Sequence, residues 1–290
     1  MRMDDQRESE NVEDVRGSSG GFRPVHGIGL GTIVIALIGG WIFGINPLQI
    51  LGLLSGGTSS VQAPATDEPG RPPPAGDAQA KFVSQVLGST EQVWTTVFQE
   101  RGAVYEDPKL RLFSRATETA CGLGEAAAGP FYCPKDRKVY LDMTFFDLMT
   151  QRLGAPGQFA HAYVVAHEVG HHVQNLLGII DRVDAQRARG DEARSNALSV
   201  RLELQADCFA GVWATRSQRE QGWRLENGDI ETALNAASQI GDDTLQRRSR
   251  GVVVPETFTH GTSAQRVSWF KRGVESGQID GCDTFAAATL

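Results

Sequence analysis

No two of the four cysteines form a C-x-x-C pair, and Cys121, Cys133, Cys208 and Cys282 lack the spacing of a zinc finger. A cysteine-built metal module is thereby excluded. An even number outside the cytoplasm suggests two disulfides instead, Cys121 with Cys133 and Cys208 with Cys282. Excess positive charge is also absent: 28 Lys and Arg face 35 Asp and Glu, a formal net charge of -7. That argues against nucleic acid or an anionic membrane surface as the main partner. There is no internal repeat. With 40% hydrophobic residues in 290, the chain can bury one good-sized core beside an anchor and a linker.

Charge is missing altogether from 27–45, where Ile33, Val34, Ile35, Leu37, Ile38, Trp41, Ile42 and Phe43 dominate. At 1.5 Å per residue this run nearly spans a hydrocarbon core of ~30 Å, so it is expected to be a transmembrane helix. Arg16 and Arg23 precede it, and no Lys or Arg follows until Arg71. The positive-inside rule then predicts a cytoplasmic N-terminus and an extracytoplasmic domain, a single-pass membrane protein. The expected organisation is a disordered tail at 1–26, the span at 27–45, a Gly/Pro/Ser-rich linker at 46–78 and a folded domain at 79–290.

Within that domain, apolar residues from Phe82 to Phe98 keep a helical period. Short β-like runs follow at 110–114, 129–133 and 138–141, then helices near 142–153, 159–178, 191–219, 229–248 and 263–276. The class is α+β, mainly helical, with a small sheet.

The organising stretch is His167-Glu168-Val169-Gly170-His171, an H-E-x-x-H motif set among Val164, Val165, Ala166 and Val173. Two histidines four apart project from one helix face, one turn apart, and can hold one metal ion. Glu168 lies about 100° round the helix, poorly placed as a ligand but able to act as general base on a metal-activated water. A third ligand must come from elsewhere. Glu203 and Asp207 are again four apart, among Leu202, Leu204, Phe209, Val212 and Trp213. Glu203 can complete a His-His-Glu set, and Asp207 can accept the free N–H of a ligand imidazole. Ala206, Ala210 and Gly211 would let the two helices approach closely.

H-E-x-x-H followed by E-x-x-A-D resembles the gluzincin zinc peptidases. The wider pattern is more similar still to a bacterial neutral zinc metallopeptidase family. It runs through His167 to Gln174, Glu203 to Gly211, Ile240-Gly241-Asp242-Asp243 and Thr259 to Arg266. The resemblance covers about 80–290 and implies a membrane-anchored zinc protein with a gluzincin-like peptidase domain.

Three further features bear on chemistry. His172 and His161 point away from the ligand face and read as packed histidines. His260 sits in a polar loop before a helix, where it can stabilise an oxyanion on the scissile carbonyl or merely belong to a loop ending at an N-cap, Ser263. Lys138-Val139-Tyr140-Leu141 can be an interior strand or an edge for an extended substrate. The reading as a whole is a membrane-anchored zinc endopeptidase acting on peptide or protein substrates. Its rival is a zinc-stabilised extracytoplasmic binding or scaffold protein without turnover.

Overall fold

Helix α1, Ala78–Glu100, opens the helical part of the computed structural model, which describes residues 6–17, 70–125, 129–223, 225–226, 228–250 and 252–290. Asp77 caps α1 by accepting from the Ala80 amide at 2.9 Å. Its period-3.6 apolar face is buried at Val83, Val86, Leu87, Val93, Trp94, Val97 and Phe98. A four-stranded sheet follows in the order β1-β2-β6-β5: Val12–Asp14, Lys109–Leu112, Lys138–Leu141 and Phe131–Cys133. Strand β2 pairs in parallel with both β1 and β6, and β5 runs antiparallel to β6. Strand β6 is interior and buried along its length. A separate hairpin, β3 (Ala116–Thr119) with β4 (Gly122–Glu125), is tied to β5 by the Cys121–Cys133 disulfide.

Strand β1 corrects two expectations. Residues 12–14 are not a disordered tail: Val12 pairs with Leu110, Asp14 with Leu112, and Asp14 bridges Arg71. Glu13, buried, is held by Arg111 at 2.6 Å and by Lys138 at 3.4 Å. Ser9 and Asn11 bond the buried Glu91 of α1. A single span between this segment and the domain would put the two on opposite faces of a bilayer, where no backbone ladder could join them. The expected span, 27–45, lies outside the described residues, and among those described no helix is long and apolar enough to cross a membrane. The single-pass arrangement, with cytoplasmic N-terminus and extracytoplasmic domain, does not hold.

The remaining helices are α2 (Thr144–Gln151), α3 (Gln158–Leu176), α4 (Ile179–Arg187), α5 (Glu192–Gln221), α6 (Asp229–Gln239), α7 (Asp242–Arg250) and α8 (Ser263–Ser276). The apolar periodicity did not single out α4. The single helix expected at 229–248 breaks into α6 and α7 at Gly241, where the Asp242 amide donates to the Gly261 carbonyl at 2.9 Å and Gly241 packs against Ser263 too closely for a side chain. The small residues act as expected at one crossing and elsewhere at another. Gly170 of α3 meets Ala206 of α5, with 3.0 Å left between a notional Cβ and the Ala206 carbonyl oxygen. Gly211 instead faces α8, where it and Gly273 leave no room for a side chain. The N-cap of α8 is Thr262, not Ser263, in a capping box with Gln265. The Cys208–Cys282 disulfide fastens a 3-10 turn, Ile279–Cys282, to α5.

Candidate metal centre

The sequence places His167 and His171 on one face of α3, and the Gly170–Ala206 contact brings Glu203 of α5 against that face. Glu203 Oε2 lies 3.2 Å from His167 Nε2, and Oε1 lies 3.5 Å from His171 Nε2. One donor atom from each residue falls within 4.8 Å of the other two. A tetrahedral zinc with bonds of roughly 2.0–2.1 Å separates its ligand atoms by roughly 3.3 Å, close to the two Glu203–histidine distances, so the donor set suits that ion once the side chains close on it.

The far side of each imidazole is also fixed. His167 Nδ1 lies 2.8 Å from Asp207 Oδ1, and His171 Nδ1 lies 2.9 Å from Gln174 Oε1. A carboxylate and an amide oxygen only accept, so both rings donate from Nδ1 and present Nε2 to the shared point. Burial would push the Asp207 carboxyl up, but the charge of Arg266, then that of His167, brings it down to about 2. The carboxylate that orients His167 is therefore ionised throughout the neutral range. Glu168 is 7% exposed, and burial raises its carboxyl above the ordinary value against the pull of His167 and His171. A carboxylate raised in this way holds a proton more firmly than an exposed one, which suits a general base.

His260 sits in a loop packed on the same turn of α5, within the field of Glu203. Asp242 Oδ2 accepts from the backbone amides of Thr259, His260 and Gly261 at 2.7, 2.6 and 3.1 Å. Its Oδ1 lies 3.2 Å from His260 Nδ1. Gly261, at φ 85°, then lets the loop lie on Val200 and Leu204, the turn of α5 that carries Glu203. Partial burial pulls the His260 pKa down, but the charges of Glu203 and Asp242 hold it above its ordinary value. His172 and His161 stay out of the site. His172 lies 3.0 Å from the Tyr132 hydroxyl and 2.7 Å from the Glu106 carbonyl oxygen, and His161 stacks on Phe146.

Sequence reasoning missed Gln174, Tyr163 and Arg266. The first two stood three residues after His171 and four before His167, on the ligand face, so spacing alone could have found them. Arg266 closes the Thr259–Arg266 run of the resemblance, but no spacing rule gives it a role at the centre.

A mainly helical α+β domain that brings an H-E-x-x-H pair and a glutamate from a second helix to one point defines a metal-site protein of the H-E-x-x-H class. The chain matches the family described as "Putative neutral zinc metallopeptidase" over residues 1–285, and it belongs to that family. It is 49% identical to the "Uncharacterized protein YpfJ" of Escherichia coli K12, over 98% of this chain and 99% of the relative. The "Uncharacterized protein Rv2575" of Mycobacterium tuberculosis H37Rv is 45% identical over 70% of this chain and 69% of its own length. No solved structure matches the chain.

Proposed function

We propose that the chain is a zinc-dependent endopeptidase in which His167, His171 and Glu203 hold the ion. When bound there, zinc supplies a Lewis acid that polarises the scissile carbonyl. Glu168 removes the proton of the attacking water and delivers it to the leaving amine. Asp207 and Gln174 keep both ligand imidazoles in the Nε2-presenting form. Asp242 anchors the loop so that His260 can donate to the developing oxyanion. The observation that carries this reading is the buried Glu168 on the helix of two pre-oriented imidazoles, where a purely structural site has no use for it.

Glu168→Gln tests it, since the amide keeps the shape and removes the base. The variant should fold, bind one zinc and lose nearly all cleavage of an unstructured protein such as casein. Glu203→Ala should lose zinc and activity together. Zinc content by mass spectrometry beside the cleavage assay separates the two. A wild type that carries zinc yet cleaves no peptide library, with Glu168→Gln indistinguishable from it, would make the protein a zinc-stabilised scaffold.

A further inference from the structure

Arg266 is 2% exposed, and its guanidinium is turned inward on the metal centre. It forms a fork: Nε donates to Asp207 Oδ2 and Nη2 to Oδ1, both at 2.9 Å. Nη2 also reaches the Tyr163 hydroxyl oxygen at 3.3 Å, and Nη1 the Ile240 carbonyl at 3.4 Å. Asp207 is fully buried, and its Oδ1 also accepts from the Tyr163 hydroxyl and from His167 Nδ1. A carboxylate held by one imidazole can pivot about its own side chain. Two parallel bonds from a planar fork fix its plane, and a buried carboxylate needs such a counter-charge to stay ionised.

The support for that fork lies in α8, outside the helices that carry the ligands. Arg266 stands one turn into α8, whose start is set by the Thr262–Gln265 capping box. The close approach at Gly211 and Gly273 sets the distance of α8 from α5. We infer that Arg266 is a positioning residue for the metal: through Asp207 it fixes the tautomer and ring angle of His167, which makes α8 part of the metal centre. The inference rests on the metal reading above. The competing role is an ion pair that merely joins α5 to α8.

Zinc alone is the probe, with dissociation constants measured by competition with a chromophoric chelator on the full chain. Wild type, Arg266→Met, Asp207→Asn and the double variant are compared. Each single change should weaken zinc by about 10–100-fold, and the double should be no weaker than the worse single within about threefold. A merely structural pair gives another pattern, a lower melting temperature of the metal-free protein with unchanged zinc constants, and that pattern overturns the inference. Losses that multiply in the double variant overturn it too. Should Arg266→Met fail to fold, Arg266→Lys keeps the charge without the fork. It should bind zinc about tenfold more weakly while the metal-free protein still melts cooperatively. A wild-type constant for that variant sinks the proposal. A wild type that binds no zinc refutes the metal reading itself, whereas one that binds no better than Arg266→Met removes only the role of Arg266.

Discussion

Removing the Cys208–Cys282 disulfide should cost more stability than removing Cys121–Cys133, by an amount the chain fixes in advance. The two bonds close loops with sequence separations of 74 and 12. Chain-entropy loss on cross-linking the unfolded state grows with the logarithm of loop length, giving about 4.4 kcal/mol for the longer loop and about 2.8 kcal/mol for the shorter. Packing widens the gap. Cys208 and Cys282 are both fully buried, so paired alanines leave unfilled space in the core, whereas Cys121 is exposed. The longer bond also anchors a clasp on the helix of Glu203, in which the Gln205 side chain donates to the Cys282 carbonyl at 3.0 Å and Thr284 Oγ1 to the Arg201 carbonyl at 2.7 Å. The assay is urea unfolding, without reductant, of wild type and the two double-alanine variants. The Cys208→Ala/Cys282→Ala protein should lose about 4 kcal/mol or more, with a fall in melting temperature of about 10 °C or more. Equal losses in the two variants, or a loss below about 2 kcal/mol for the longer loop, would refute the reasoning.

Two further outcomes are expected. His260→Ala should lower turnover by about 10²–10³ with zinc content intact, while an unchanged rate with a lower melting temperature would return His260 to a structural role. Glu91 should make stability fall as pH rises. Burial lifts its folded pKa above the ordinary 4.5, so the native state binds the proton more tightly than the unfolded chain does. Its contribution is complete below about 4.5 and is lost as pH climbs through the folded value. Relative to Glu91→Gln, wild-type stability should therefore decline across that window in urea titrations at successive pH values. A rise would contradict the burial argument.

Local periodicity and spacing made much of the domain legible. The apolar stripe of α1, the near-correct bounds of α3, α5 and α8, and a strand at Lys138–Leu141 all follow from local patterns, though only the fold made that strand interior. The breaks were less legible. The helix breaks at Gly241, where the Asp242 amide donates to the carbonyl of Gly261, 19 positions away, and no window of local sequence contains that bond. The N-terminal segment read as a polar tail because its partners, Arg111, Lys138 and Glu91, come from distant strands and a helix. Its charges looked solvated, yet Glu13 is buried.

By itself, the sequence determined the chemistry available at the centre. Helical spacing puts His167 and His171 on one face, sets Glu168 off it, and pairs Glu203 with Asp207, because a helix repeats every 3.6 residues whatever surrounds it. Only the tertiary structure decided that these pieces share a point. Gly170 on Ala206 brings the two helices into register, and Arg266 arrives from a third helix that Gly211 and Gly273 allow to approach. The physical reason is range. Side-chain direction along one helix is set by its own backbone, whereas the meeting of helices depends on close packing between residues far apart in the chain.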